Sequence, residues 1–153
     1  MRPGVRLGVD VGKARVGIAV CDRDGLLATP VATLRREDAD ERAFRILVEE
    51  HGVTEIVIGL PLSLSGGDTA STTDARDFAR AVAGWIGVPV RLVDERLSTV
   101  SAQRALHAVG RRTKGSRAVI DQVAAVIILQ NALDHERSAG RPPGALVDRQ
   151  GEE

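Results

Sequence analysis

The chain has 153 residues, a length typical of one domain built around a single core. Hydrophobic residues make up 43% of it and charged residues 27%, which excludes a disordered or low-complexity chain. The formal net charge of +0 does not by itself suggest a nucleic-acid-binding protein.

The sequence also lacks the usual signs of export or membrane insertion. The first ten residues contain no apolar run long enough for a signal peptide, and no later segment reaches the roughly 18 apolar residues of a membrane span. The single cysteine, Cys21, cannot form an internal disulfide bond, which agrees with a reducing compartment. We therefore expect a cytoplasmic protein with no membrane partner.

Charge is distributed in two blocks of opposite sign. Residues 91–117 contain seven Lys or Arg against two acids, a local balance of +5, whereas residues 37–55 contain seven acids against two Arg, a balance of −5. A basic face attracts phosphates whatever the total charge. We interpret the basic block as a candidate phosphate-binding surface and the acidic block as a solvated helix surface.

The first strands form a hairpin around an acidic residue. Apolar residues alternate with Gly8, Asp10 and Gly12 and are followed at once by an apolar run over 16–20, a pattern typical of a tight antiparallel hairpin. A carboxylate within such a strand is costly to bury without a positive partner, so Asp10 is a candidate functional residue. The alternative is an aspartate on a solvated strand face. A third strand over 26–34 contains Pro30, which indicates a sheet edge or a bulge.

Helices and strands alternate along the rest of the chain. Apolar spacing predicts a helix over 40–51 that ends at Gly52 and a strand over 56–60. After a loop at Gly66-Gly67 it predicts a helix that carries the apolar residues from Ala75 to Ile86, then a strand over 90–93, a helix after Ser98 and a last helix over about 117–134. This order predicts an α/β fold with a mixed five-stranded sheet, an antiparallel meander followed by parallel strands, with the first strand at its centre. Residues 1–137 then form the domain, and residues 138–153 are predicted to be a mobile tail with too little apolar content to pack.

Two further acids are candidates for chemistry. Asp121 lies on an apolar face of the last helix beside Ala124 and Ala125, so its carboxylate needs a metal ion, a proton or a partner such as Arg117. Glu95 directly follows a hydrophobic strand, where catalytic groups are often found. Three acids without a His or Cys cluster indicate a hard cation, Mg²⁺ or Mn²⁺, and such a site suits two-metal phosphodiester hydrolysis.

Four segments in order resemble the YqgF family of pre-16S rRNA nucleases, also described as Holliday-junction-resolvase-like and of RNase H-like fold. They are GVDVGKARVGIAV at 8–20, IVIGLPLSLSG at 56–66, DERLSTVSAQ at 94–103 and AVIDQVAAVIILQNALD at 118–134. The resemblance implies that Asp10, Glu95 and Asp121 are the catalytic, metal-binding acids. It also implies a role in maturing the 5′ end of pre-16S rRNA during ribosome biogenesis.

Basic residues near these acids are candidates for contact with structured RNA, which would add affinity without sequence preference. They are Lys13, Arg15, Arg96, Arg111, Arg112, Lys114 and Arg117. Arg96 could instead orient Glu95. Two alternatives stay open: a resolvase acting on junction DNA, which would need a dimer, and a noncatalytic ribosome-assembly factor on a degenerate nuclease fold. The sequence leaves monomer or homodimer undecided.

Overall fold

The computed structural model describes residues 1–96 and 117–148, and for residues 117–121 it describes the backbone alone. Within these ranges the chain forms one six-stranded mixed sheet with the strand order β3-β2-β1-β4-β5-β6. The strands are β1 (Val5–Val11), β2 (Arg15–Cys21), β3 (Ala28–Arg35), β4 (Val53–Leu60), β5 (Val90–Asp94) and β6 (Ala145–Leu146). The helices are α1 (Glu41–His51), α2 (Ala70–Trp85) and α3 (Arg117–Ala139), and a short 3₁₀ helix covers Arg36–Asp38.

The predicted hairpin and edge strand are both present. β1 and β2 pair antiparallel with Asp10 opposite Gly17, and β2 pairs antiparallel with β3. The β2–β3 register shifts where Ala19 pairs with Pro30, so the proline lies at a bulge in the edge strand. Proline has no N–H to donate to a neighbouring strand, and both of these positions tolerate that loss.

β1 lies inside the sheet, as predicted, and runs parallel to β4, which runs parallel to β5. The carboxyl ends of these three strands therefore meet at one edge of the sheet. Asp10 lies near the end of β1 and Glu95 directly follows β5, so the topology brings two distant parts of the sequence to the same edge.

Helices α1 and α2 cover one face of the sheet. The Asp40 side chain caps α1 by accepting from the Ala43 N–H, and Gly52 ends this helix in the left-handed conformation that glycine adopts most easily. Phe44 and Phe78 meet edge to face with ring centroids 5.8 Å apart. A fully buried side chain of this size contributes about 1.5–3 kcal/mol to folding. These two aromatic residues therefore belong to the core between the sheet and the helices.

Helix α3 covers the opposite face at unusually close range because glycines line its path. A Cβ at Gly8 would lie 2.6 Å from the Leu129 Cβ, and a Cβ at Gly59 would lie 2.6 Å from the Ile128 Cδ1. Real Cβ contacts do not occur at that distance, so these glycines permit the close approach of α3. No helix in the described ranges is long and apolar enough to cross a lipid bilayer.

The C-terminal segment packs more than the sequence suggests. Ala145 and Leu146 pair antiparallel with β5, and the Val147 N–H donates to the Val90 carbonyl oxygen at 2.8 Å. The sheet thus has six strands, and the predicted number of five is wrong. The boundary at residue 137 and the mobility of residues 138–153 stay predictions, but their premise that this segment cannot pack is wrong for residues 145–147. Main-chain pairing with β5 and packing of the Val147 side chain against the core account for the difference.

A buried ion network closes the opposite end of the sheet. Arg2 binds both Glu55 and Glu136, at 3.0 and 2.7 Å, while Arg6 is a second partner of Glu136 and Arg91 a second partner of Glu55. Glu55 and Glu136 are 3% and 4% exposed. The expectation that the acidic block is entirely solvated is therefore wrong for Glu55. Arg91, counted in the basic block, neutralises this buried acid.

Candidate active site

Asp10 lies on the β1 face that is covered by α3. Successive side chains of a strand point to opposite faces, and Leu7 and Val9 pack into the core with α1 and α2. Gly8 faces α3, so Asp10, two residues further, faces the same way. Its side chain is half-buried. This position favours the functional interpretation over an aspartate on a solvated strand face, and the role of Asp10 stays a prediction.

Glu95 reaches the same face from β5. Its N–H donates to the Leu60 carbonyl oxygen at 3.2 Å, which fixes its backbone against the end of β4. Its side chain lies across Gly59, where an added Cβ would come within 3.0 Å of the Glu95 Cγ and Cδ. Gly59 therefore has two functions at this edge: it admits α3 and it leaves room for the Glu95 carboxylate.

The electrostatics of Glu95 reflect this placement. Burial raises the pKa of Glu95 to about 7, and the negative charges of Asp10 and Asp94 add to the rise. A buried carboxylate beside a second carboxylate is costly when ionised, and a divalent cation with oxygen ligands removes that cost. The donors at this edge therefore fit the predicted Mg²⁺ or Mn²⁺.

Asp94 and Arg96 form a pair of their own. The Arg96 Nη2 lies 2.6 Å from the Asp94 Oδ2, and its Nε donates to the same carboxylate at 3.0 Å. Hydrogen bonds from Arg96 lower the pKa of Asp94. Arg96 also donates to the Leu64 carbonyl oxygen at 3.4 Å, and no described contact joins it to Glu95. The described contacts of Arg96 are therefore with Asp94 and Leu64, and both of its suggested roles, orienting Glu95 and contacting nucleic acid, stay predictions.

The third predicted acid falls at the limit of the description. Asp121 belongs to α3, one helical turn before Ala125, whose carbonyl oxygen would lie 3.0 Å from a Cβ at Gly8. Its side chain and that of Arg117 lie outside the described residues, as do Arg111, Arg112 and Lys114 entirely. Within residues 1–96 and 122–148, no three His, Cys, Asp or Glu side chains form a possible metal site. The described part of the site is therefore the Asp10–Glu95 pair.

The β1–β2 turn carries two basic residues that follow Asp10 closely in sequence, Lys13 and Arg15. The turn is tight because the Gly12 N–H donates to the Arg15 carbonyl oxygen at 2.9 Å, and a Cβ at Gly12 would lie 2.6 Å from that oxygen. Lys13 is exposed and Arg15 is half-buried. Sequence reasoning missed that Arg36, on the 3₁₀ helix, binds this turn and Asp74 of α2. Such a contact between distant residues leaves no local sequence pattern.

A groove of about 570 Å³ runs from this edge between β5, α3 and the C-terminal segment. Glu95 lies at one end of it, and Arg141 and Pro142 lie in the wall contributed by the C-terminal segment. Most of the described lining is apolar. The Glu95 carboxylate is thus part of a concave surface, as expected for a residue that meets a ligand.

Comparisons with known proteins agree with this geometry. A family model described as RuvX, Holliday junction resolvase, matches residues 4–135. A "Putative pre-16S rRNA nuclease" of Clavibacter michiganensis subsp. michiganensis is 60% identical over 152 residues, covering 97% of this chain and 94% of that protein. One of the same name from Streptomyces coelicolor is 54% identical over 151 residues, covering 97% and 90%.

Among solved structures, Thermus thermophilus RuvC in complex with a Holliday junction substrate superposes with a TM-score of 0.55. It is 18% identical in sequence, and the match covers 92% of this chain and 99% of that chain. A second structure of Thermus thermophilus RuvC gives a TM-score of 0.53 at 17% identity. At this identity the likeness concerns the fold alone, and it confirms the predicted RNase H-like architecture.

Proposed function

The chain belongs to the RuvX family, which is the YqgF family that its motifs resemble, and from this we propose that it is a metal-dependent endonuclease processing the 5′ end of pre-16S rRNA. Relatives named as nucleases at 54–60% identity over most of both chains support hydrolysis of a phosphodiester bond. The single observation that carries the proposal is the convergence of Asp10 and Glu95 at one edge of the sheet.

We assign the two described acids, together with Asp121, to the binding of Mg²⁺ or Mn²⁺. Helix periodicity supports the third member, because Asp121 precedes Ala125 by one turn and Ala125 packs against Gly8 of β1. When bound, a pair of such ions activates the attacking water and stabilises the leaving oxygen. The chain itself contributes carboxylates with fixed backbones, a partly desolvated surface and the positive charge of Lys13 beside the phosphate.

Phosphate contacts extend the site beyond the acids. We propose that Lys13 and Arg15 in the β1–β2 turn meet the substrate backbone. The same role is proposed for Arg96 and for the basic residues that precede and open α3, Arg111, Arg112, Lys114 and Arg117. Such contacts add affinity for any phosphate backbone and position the scissile bond without reading sequence.

The Asp10–Glu95 pair also argues against a noncatalytic binding protein. Two neighbouring carboxylates repel each other and are costly to keep on a partly buried face. A protein that only bound RNA would gain from losing one of them, since the substrate is itself negatively charged. A divalent cation between the two groups would offset this repulsion.

A second candidate function is resolution of four-way DNA junctions. It is favoured by the description of the matching family and by the fold shared with a protein solved on a Holliday junction. Resolution requires two cuts and therefore a dimer with two sites. Its test is the oligomeric state in solution together with cleavage of a four-way junction.

Substitution of Asp10 by Asn tests the proposed function. The variant keeps the size of the side chain but removes the charge that a cation requires, so Mn²⁺-dependent cleavage of a 5′-extended 16S rRNA fragment should fall at least about 100-fold. Circular dichroism and urea unfolding should show that the fold is retained. A matched control is Asp22→Asn, at a turn on the opposite side of the molecule, where the carboxylate accepts from the Leu26 and Leu27 N–H groups.

Substrate choice is decided in the same assay by comparing the rRNA fragment with a four-way DNA junction. Preference for the rRNA fragment supports the proposed role, and preference for the junction supports the resolvase. Unchanged cleavage of both substrates by Asp10→Asn would remove the proposed mechanism.

A further inference from the structure

Arg36 makes two described contacts with the β1–β2 turn. Its Nη1 donates to the Gly12 carbonyl oxygen at 2.8 Å, and its main-chain N–H donates to the Ala14 carbonyl oxygen at 2.9 Å. These carbonyl groups lie on either side of Lys13. The backbone of Lys13 is therefore fixed at both ends, while its side chain is exposed.

Arg36 is itself anchored to α2. Its Nη1 and Nη2 donate to the two Asp74 carboxylate oxygens at 2.9 and 2.8 Å, a bidentate arrangement that only the planar guanidinium group can make. The guanidinium carbon also lies 5.0 Å from the centre of the Phe78 ring. The turn is thus connected through one side chain to the rigid core beneath α2.

Asp74 carries the anchor for Arg36 and is close enough to Lys13 to interact with it electrostatically. Hydrogen bonds from Arg36 lower the pKa of the Asp74 carboxyl group, and the positive charge of Lys13 adds a smaller contribution. Arg36 therefore fixes the backbone of the turn, and Asp74 fixes Arg36.

We propose that Arg36 and Asp74 are positioning residues that hold the β1–β2 turn so that Lys13 meets a phosphate of the nucleic-acid substrate beside Asp10. The inference rests on the proposed function and extends it to two residues that need not touch the substrate. An exposed turn with no ligand gains little from having both flanking carbonyl groups bound by one residue of another element. Lys13 follows the candidate catalytic residue Asp10 by three residues. If Lys13 must meet a phosphate of the substrate there, a fixed turn preorganises it for that contact.

The test is a double-mutant cycle on binding, measured by fluorescence anisotropy in EDTA with the 5′-extended 16S rRNA fragment and with the four-way junction. Lys13→Ala should weaken binding about 5–10-fold, and Arg36→Ala should weaken it to a similar or smaller extent. If Arg36 acts through Lys13, the double variant binds within about twofold of Lys13→Ala. If the double variant instead loses affinity by the product of the two single losses, the two residues act independently and the inference is wrong.

Asp74→Asn separates positioning from direct contact. The substitution removes a negative charge near the substrate, so it should tighten binding if Arg36 were itself a phosphate ligand released by the change. Loss of the anchor instead predicts weaker binding, in the same direction as Arg36→Ala. Arg36→Lys keeps the charge but loses the bidentate geometry, and it should also bind weakly. Tighter binding by Asp74→Asn, or full affinity of Arg36→Lys, would contradict the proposal.

Salt dependence gives an independent measurement. Lys13→Ala should lower the slope of log affinity against log salt by about 0.7–0.9, the value for one phosphate contact. Adding Arg36→Ala to that variant should leave the slope unchanged. Arg45→Ala is the matched control, because Arg45 forms an exposed ion pair with Glu41 on α1 and should bind normally. If Arg36→Ala fails to fold, Asp74→Asn carries the test.

The outcomes separate this inference from the proposed function. If the wild-type chain binds nucleic acid but the effects of Lys13→Ala and Arg36→Ala on affinity multiply, only the inference is overturned. If those effects do not multiply but Asp10→Asn still cleaves at the full rate, only the metal-dependent mechanism is overturned. A wild-type chain that binds neither nucleic acid overturns both.

Discussion

The raised pKa of Glu95 predicts that the metal-free protein loses stability as the pH rises. The pKa of this carboxyl group is 4.5 in an ordinary environment and about 7 in the folded protein. The folded state therefore binds more protons than the unfolded state between these values, and the free energy of unfolding decreases across that window. Below about pH 4.5 the contribution is fully present, and above about pH 7 it is lost.

The size of the effect follows from the same two values. A change from 4.5 to about 7 corresponds to about 3.4 kcal/mol at most. Because the Glu95 side chain is only partly buried, water screens it, and we expect a loss of about 1–2 kcal/mol between pH 5 and pH 8. Urea unfolding in EDTA at several pH values measures this loss directly.

Glu95→Gln is the diagnostic variant, since it removes the ionisable group while keeping the side-chain size. The difference in stability between wild type and Glu95→Gln should grow from pH 5 to pH 8 in EDTA, with Glu37→Gln, an exposed carboxylate, as the control. Mg²⁺ or Mn²⁺ at pH 8 should restore the stability of wild type more than that of Glu95→Gln, because only the charged site binds the ion tightly. Equal pH dependence of both proteins in EDTA would refute the electrostatic argument.

Two other features give predictions of stability. Gly8→Ala places a Cβ 2.6 Å from the Leu129 Cβ and should lower the free energy of unfolding in urea by about 1–3 kcal/mol. The control Gly84→Ala, which has open space in α2, should raise it by up to about 1 kcal/mol. Equal effects of the two substitutions would contradict the close approach of α3. Burial tends to raise the pKa of Glu136, but hydrogen bonds from Arg2 outweigh it, so the pKa is lowered and its stabilising contribution is present above about pH 4.5 and lost in acid. Glu136→Gln should therefore cost about 2–4 kcal/mol at pH 7 and less at pH 3, and a loss that persists unchanged at pH 3 would count against the ion network.

The fold was predictable where local patterns determine it. The hairpin, the bulge at Pro30 and the end of α1 at Gly52 each follow from residues adjacent in sequence. β6 was not predictable, because its two residues, Ala145 and Leu146, are too few to show the periodicity of a strand.

Of the candidate site, the sequence indicates only the acids. Asp10 and Glu95 stand out because a charged residue interrupts or follows an apolar strand. Arg36 and Arg91 look like ordinary surface residues in the sequence, and only the fold brings Arg36 to Asp74 and Arg91 to Glu55. Long-range ion pairs of this kind depend on topology and leave no fixed spacing along the chain.

The two outer strands of the sheet have a consequence for how the protein behaves at high concentration. An outer strand offers unpaired main-chain groups to other molecules, and such edges promote aggregation. β3 carries a proline and a bulge, and β6 presents only two residues, so neither forms a long flat template. A chain shortened before residue 144 would uncover Val90–Asp94, and we expect such a chain to self-associate.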